Sequence, residues 1–424
     1  MTTSQVNPLR LLFMAESITL AHVVRLLTLA EGQKKMGHEV IFATAEKYQS
    51  WAEAKGFQFR KIHCLDSAIF QQRLSKGQTF LQHQEISDQV HEDIRLLKEL
   101  RPNVVIGDFR LSLGISAKVA RVPYLGVINA YWTHFDPKDM PVPETPFLSL
   151  IGRKLAYPLF RSTQGLLVPL LLRQQANGFN KVRMEYAQPP LQSVIDSYSQ
   201  ADYLVFPDAP EIVPPPPTNF RIPWKFLGPV AGNLPCELPD WWPDLKPTVP
   251  VIYLNMGSSG KQELTPKIVN VLTELPAQII VGTSQSIQRQ LPHLPGRLFS
   301  ATALPGDQIC QRADLVICNG GAPSMYQALL EGRPTIGITN NMDQRIAMPY
   351  FARLPFVKHL RTWNLKGDQL KKSTSELLDN PLVKIEAKDF SQVLHKYNID
   401  EQLMDAIKEV LNPKLSQTST LDLC

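Results

Sequence analysis

Residues 318–344, "CNGGAPSMYQALLEGRPTIGITNNMDQ", decide how this chain folds. The run just before and into it, "DLVICN", is short and apolar and reads as a buried strand. Gly320-Gly321 then lets the backbone turn sharply and come close to a ligand. Pro323 suits the first helical turn, where its missing N–H is no loss, and Ser324 follows with a hydroxyl near the free amides of that turn. The helix stops at Gly332, and Pro334 leads into the next strand, "TIGIT". Strand, glycine turn, helix and strand in this order leave a helix N-terminus at the carboxyl edge of a parallel sheet. That position favours anions, phosphates above all, and is where ligands bind in open α/β sheets. The plain alternative is a tidy helix start with no ligand.

The alternation continues on both sides. Upstream lie "PVIYLNMG" as strand, "PKIVNVLTEL" as helix and "AQIIVGT" as strand. The first third of the chain repeats the pattern, with "LRLLFMA" (9–15) and "HEVIFATA" (38–45) as strands around the helix "HVVRLLTLAEGQKKMG" (22–37). "NVVIGDF" and "YLGVINA" follow as strands, with "EDIRLLKELRP" and "LGISAKVARV" as helices. Strands alternating with helices imply parallel sheets covered on both faces. Residues 135–200 are interrupted by proline and read as irregular helices. Proline then clusters over 207–249, a linker without regular elements, with the domain boundary near 232–248. The expected organisation is therefore a first domain over 1–235 and a second over 248–398. An amphipathic helix over 399–412 and a loose tail over 413–424 end the chain.

A length of 424 residues fits two domains. With a net charge of +5 and no Lys/Arg block, the chain lacks the basic stripe of a nucleic-acid binder. Five scattered cysteines, Cys64, Cys236, Cys310, Cys318 and Cys424, have no metal-ligand spacing and suggest no disulfide framework. The opening residues lack a signal-peptide layout, and the run "GLLVPLLL" (165–172) is too short to span a bilayer, so a cytoplasmic location is expected.

Four segments, in order, resemble the family-1 glycosyltransferases of the GT-B fold, which include UDP-glucosyl and UDP-glucuronosyl transferases and bacterial macrolide transferases. They are "AHVVRLLTLAEGQKKMGHEVIFAT", "RPNVVIGDFRLSLGISAKVARVPYLGV", "WKFLGPV" and the pair "VIYLNMGSSG" and "CNGGAPSMYQALLEGRPTIGITNNMDQ". The resemblance implies an α/β GT-B fold: two facing Rossmann-like domains with parallel sheets, acceptor on the first and nucleotide sugar on the second. It also implies that the last helix crosses back to the first domain. No Gly-x-Gly-x-x-Gly fingerprint follows the first strand, so no nicotinamide cofactor is suggested.

The resemblance further assigns roles. His22, in the loop after the first strand, aligns with the base that takes the acceptor proton, and Asp108 with the carboxylate that orients it. Imidazole suits that task near neutral pH. The plain alternatives are an N-capping or exposed loop residue for His22 and a helix cap for Asp108. Gly257, Ser258, Gly320, Gly321 and Ser324 are expected on the diphosphate, and Asp343 and Gln344 on the sugar hydroxyls, unless Asp-Gln is only a turn. Fixed dipoles then replace a metal ion, and with no Asp-x-Asp motif no metal or cofactor beyond the nucleotide-sugar co-substrate is expected.

The chain departs from the family pattern at several positions. Asn319 stands for the donor-site histidine, and Gln327 for the glutamate that grips the ribose. Pro323-Ser324 replaces the usual pair after the glycines. Ala21 and Arg25 replace the glycine and proline around His22, with Arg25 read as an exposed helix residue. These changes keep hydrogen-bonding capacity and read as retuned recognition of a UDP- or dTDP-linked hexose. "NAYWTHF" (129–135) and "TPFLSLIGRKLAYPLFRSTQGLLVPLLLRQQ" (145–175) suit a small, hydroxylated, lipophilic acceptor or peripheral contact with a membrane surface, and equally suit core packing. The sequence fixes no oligomeric state. The alternatives are a non-catalytic nucleotide-sugar-binding GT-B protein, or another GT-B enzyme such as an epimerase or a lipid-linked sugar transferase.

Overall fold

Two parallel sheets organise the chain in the computed structural model, which describes residues 7–142 and 153–412. The tail 413–424, expected to be loose, and residues 145–152 of the leucine-rich stretch lie outside the described residues. The first sheet holds β1 (Arg10–Ala15), β2 (Glu39–Thr44), β3 (Gln58–Lys61), β4 (Val104–Asp108), β5 (Tyr124–Val127), β6 (Tyr203–Phe206) and β7 (Trp224–Phe226). Its order is β3-β2-β1-β4-β5-β6-β7. The second holds β8 (Val251–Asn255), β9 (Gln278–Gly282), β10 (Leu298–Ala301), β11 (Leu315–Cys318), β12 (Thr335–Thr339) and β13 (Val357–Arg361), in the order β10-β9-β8-β11-β12-β13.

In both sheets the order reverses direction at one point, between β1 and β4 and between β8 and β11. A crevice opens at the carboxyl ends of such a strand pair. The register sets what borders each crevice: Ala15 lies opposite Asp108 at the end of β1 and β4, and Asn255 opposite Cys318 at the end of β8 and β11. Every residue of β4 and β11 is buried, as continuous apolar runs between two helical layers require.

The middle of the chain differs from the sequence expectation. The leucine-rich stretch forms one 23-residue helix, Arg153–Gln175, with Pro158 and Pro169 inside it. Proline costs a helix one hydrogen bond, and here packing outweighs that cost: Val168 and Leu172 are buried in a cluster with Phe80, Ile86 and Phe179. The proline-rich linker also contains β7, which pairs only with β6 at the sheet edge. An edge strand tolerates neighbouring prolines because one side of its ladder is unpaired.

Leu403, Met404, Ala406, Ile407 and Val410 of the helix Ile399–Leu411 are buried in one cluster with Leu11, Phe13, Leu26 and Val205. The last helix thus completes the core of the first domain. Gly32 is required where it lands, because a Cβ there would overlap the Asp400 carboxylate.

Candidate active site

His22 lies in the first turn of the helix Leu20–Lys35 rather than in the loop before it. Its Nδ1 donates to Asp108 Oδ1 at 2.7 Å. Burial pushes the Asp108 carboxyl up, but the Arg25 guanidinium and His22 outweigh it and hold the group below the usual carboxylate range. An ionised Asp108 fixes the proton on Nδ1 and leaves Nε2 as the basic nitrogen. Nε2 has no hydrogen-bond partner among the described residues. The ring is 18% exposed and stacks on Phe109, with centroids 5.0 Å apart.

Arg25 corrects the sequence reading. It is buried at 4% exposure, with Nε donating to Asp108 Oδ2 at 2.7 Å and Nη2 to Oδ1 at 2.9 Å. Its third donor, Nη1, reaches Asn129 Oδ1 at 2.9 Å. Asn129 in turn donates to Asp208, which also accepts from the Ala130 amide at 2.6 Å and the Tyr326 hydroxyl at 3.1 Å. Tyr326 belongs to the helix Ala322–Leu330 of the second domain. A buried chain of hydrogen bonds therefore runs from His22 to the helix that starts at the glycine turn.

That turn has the expected shape. Gly320 has φ +73°, and a Cβ there would stand 2.8 Å from Met348 Cγ. The helix after it has Gly321 as its cap, with no side-chain acceptor on its first-turn amides. Three of the amides expected to grip a diphosphate are already engaged, however. Gly321 N–H donates to Asn319 Oδ1 at 3.0 Å, Gly320 N–H to Cys318 Sγ at 3.4 Å, and Gly257 N–H to Asn255 Oδ1 at 2.9 Å. Asn319 curls back on its own turn because an Asn side chain reaches the amide two residues on. Ser258 is exposed and Ser324 half-buried, so both hydroxyls reach solvent beside the turn.

The remaining candidates spread around this centre. Asp343 Oδ1 accepts from Tyr131 Oη at 2.8 Å and from Trp132 Nε1 at 3.1 Å, both on the first domain. Gln344 is buried and caps the helix Met342–Phe351, its Oε1 accepting from Asn340 N–H at 3.0 Å. Gln327 points to the linker, with Nε2 donating to Asn233 Oδ1 at 2.9 Å. Gln344 also reaches Ser259 Oγ at 3.3 Å, as does Asn319 Nδ2 at 3.2 Å, so Ser259 ties the β8 loop to the glycine turn.

An aromatic wall extends from the His22 ring. Phe109 meets Phe70 at 6.2 Å and Tyr198 at 5.4 Å, and Tyr198 meets Trp132 edge-on at 5.1 Å. Phe109 has φ +55°, which a side-chain-bearing residue rarely adopts. Its neighbour Arg110 anchors it, fully buried and bonded to Asp93 at 2.8 Å and Glu16 at 3.2 Å. Gln164, 3% exposed on the inner side of the helix Arg153–Gln175, has no partner for Oε1 among the described residues.

The fold is shared with glycosyltransferases of known structure. VinC in complex with DTDP is 15% identical, with a TM-score of 0.69 over 95% of this chain and 100% of that one. The spinosyn rhamnosyltransferase SpnG is 17% identical, with a TM-score of 0.66 over 94% of this chain and 100% of that one. No family model matches the chain. In sequence it is 32% identical to the PGL/p-HBAD biosynthesis rhamnosyltransferase of Mycobacterium bovis (strain BCG / Pasteur 1173P2), over 372 residues covering 87% of this chain and 80% of the relative. The chain belongs to the family-1 GT-B glycosyltransferases. It is an enzyme of that class.

Several residues that shape this glycosyltransferase's site escaped the sequence reading. Arg25 left one signal, a lone charge inside the apolar run "HVVRLLTLA". Asp208 and Tyr326 left none, because their partners are distant in sequence: Asn129 lies 79 residues from Asp208, and the two lie 118 residues from each other. Tyr131 and Trp132 stood out as aromatics of the acceptor side, yet their polar atoms serve Asp343.

Proposed function

We propose that this glycosyltransferase inverts the anomeric carbon of a nucleotide-diphosphate sugar while moving it to a hydroxyl of a lipophilic small molecule. The hydrogen-bond chain from His22 through Asp108, Arg25, Asn129 and Asp208 to Tyr326 carries this reading. It fixes a base on one domain to the anion-seeking helix start of the other, as a displacement between bound partners requires. The acceptor oxygen attacks the anomeric carbon, its proton passes to His22 Nε2, and the bond to the diphosphate oxygen breaks with its electron pair. Asp108 holds the imidazole and offsets the charge it gains.

On the donor side, the first-turn amides of the helix Ala322–Leu330 and the Ser258 and Ser324 hydroxyls meet the diphosphate. Asn319 yields the Gly321 amide as the phosphate arrives. Fixed dipoles take the place of a metal ion in this scheme. Asp343, pinned at Oδ1, offers its second oxygen to a sugar hydroxyl. The rhamnosyltransferase names of the relative and of SpnG, and the DTDP in VinC, favour a thymidine-diphosphate deoxyhexose over a UDP-hexose as donor. The aromatic wall from Phe109 to Trp132 supports a lipophilic acceptor, and the Gln164 amide offers it a polar contact.

The non-catalytic alternative rests on Asn319 occupying the Gly321 amide; the close His22–Asp108 contact speaks against it. The deciding experiment pairs thermal shifts with turnover for wild type and His22→Ala, using dTDP- and UDP-sugars with and without EDTA. Both proteins should be stabilised by a dTDP-sugar, with turnover only in the wild type and unchanged by EDTA. Turnover that survives His22→Ala would sink the base assignment, and the lack of any nucleotide-dependent shift would sink the donor site.

A further inference from the structure

The helix Arg153–Gln175 is apolar on two sides. Its inner side, with Gln164, Val168 and Leu172, is buried against the aromatic and aliphatic cluster that includes Phe109. On its outer side Leu166, Leu167, Leu170 and Leu171 are 71%, 47%, 54% and 54% exposed. Positions spaced one, four and five apart form a single stripe on a helix. Ile69 and Leu74, 43% and 49% exposed, lie on the helix Ser67–Ser75, whose Phe70 packs into the same cluster. Contiguous exposed apolar surface of this kind marks an interaction site.

Charge identifies what the stripe meets. Between residues 145 and 184 the sequence has six Lys or Arg residues and no Asp or Glu. Arg161 and Arg173 on this helix and Lys181 on the following helix Asn177–Glu185 are exposed, Arg173 three residues from Leu170. The adjoining turn, Pro137–Asp139, adds Lys138 beside Gly165 and also carries Asp139, while Asp136 is used on the Lys138 amide. A leucine stripe on a segment with exposed cations and no carboxylates is the pattern of a surface that lies in the headgroup layer of an anionic bilayer. No described helix is long and apolar enough to cross a membrane.

We infer that the outer face of the helix Arg153–Gln175 docks this glycosyltransferase on an anionic lipid surface. The same helix carries an acceptor-side wall on its other face, so docking brings the His22 aromatics to where lipophilic molecules partition. This inference is independent of the sugar-transfer reading, because vesicle binding is measured without turnover.

The test is co-sedimentation of the full chain with vesicles of phosphatidylcholine alone and of phosphatidylcholine with phosphatidylglycerol, at low and high salt. Binding should favour the anionic vesicles and weaken as salt rises. Leu166→Ser with Leu170→Ser should reduce it roughly tenfold or more, and Arg161→Gln with Arg173→Gln should erase the preference for anionic lipid. Circular dichroism and nucleotide-induced thermal shifts of the variants, unchanged from wild type, exclude misfolding. Absence of binding, or binding equal in the leucine variant, overturns the inference. So does a wild-type dimer that becomes monomeric in that variant without lipid binding, which would give the face to a second copy of the chain.

Discussion

Arg25 grips Asp108 through two parallel hydrogen bonds, 2.7 and 2.9 Å, and shares the carboxylate oxygen Oδ1 with His22. The carboxylate that aims the imidazole is thus aimed itself, by a side chain three residues further along the same helix. Bidentate guanidinium–carboxylate pairs fix orientation as well as charge. The pair is fully buried, so removal of one member leaves an uncompensated charge.

Arg25→Met should destabilise the protein by about 3 kcal/mol and lower kcat on the order of 100-fold, with the donor KM nearly unchanged. Arg25→Lys should recover much of the stability and little of the rate, since one ammonium cannot reproduce the fork. Urea unfolding beside steady-state kinetics separates these effects. Equal recovery of both by lysine would argue for charge alone.

Tyr131 donates to Asp343 across the domains, and burial, reinforced by Asp343 and Asp208, keeps its phenol protonated far above neutral pH. Tyr131→Phe leaves Asp343 with Trp132 as its remaining partner from the first domain. The expected result is a loss of about 1–2 kcal/mol in stability and a raised KM for the sugar nucleotide. Nucleotide alone should bind as before. A KM increase for the acceptor instead would detach Asp343 from the sugar.

Neighbouring glycines at the turn should respond differently to a methyl group. Gly320→Ala meets both a left-handed φ and the Met348 and Thr339 side chains at 2.8 and 2.9 Å. A cost of about 3 kcal/mol follows from strain plus overpacking. Gly321 has φ −73°, and its nearest neighbour is Asn319 Oδ1 at 3.2 Å. Gly321→Ala should therefore cost well under half as much in urea titration, while weakening nucleotide binding.

His359 should make the protein sensitive to mild acid. Burial, with Arg361 and Arg345 nearby, lowers its pKa to about 4, and its Nε2 lies 2.9 Å from Thr339 Oγ1. In the unfolded chain the ring takes its proton near pH 6.5. Between those values the unfolded state binds more protons, so stability is complete above about pH 6.5 and declines towards pH 4. The loss is on the order of 3 kcal/mol. His359→Gln should flatten unfolding free energy against pH across that window.

The glycine turn was readable because its constraints are local: Gly320-Gly321, Pro323 and Gly332 restrict the backbone within a few residues. The same holds for β11 and for the Val104–Ile106 run of β4, short β-branched apolar runs that suit a strand covered on both sides. Arg25 was misread because its burial depends on a carboxylate 83 residues away. The partners of Asp343 lie 211 and 212 residues away, and nothing local marks Tyr131 as a donor to it. The helix Arg153–Gln175 was hidden by Pro158 and Pro169, since propensity penalises what packing against Phe80 and Phe179 overrides. Gln344 was half legible: Asn341 three residues before it forms a capping box, a signal as local as any glycine.

The helix Ile399–Leu411 gives the chain an unusual order of assembly. Five of its side chains lie in the core of the first domain, beside β1 and the helix Leu20–Lys35. During synthesis that core waits, incomplete, until residues 399–411 clear the ribosome, by which point the second domain already has all its described strands. Truncation before Ile399 would therefore damage the half of the protein that was made first.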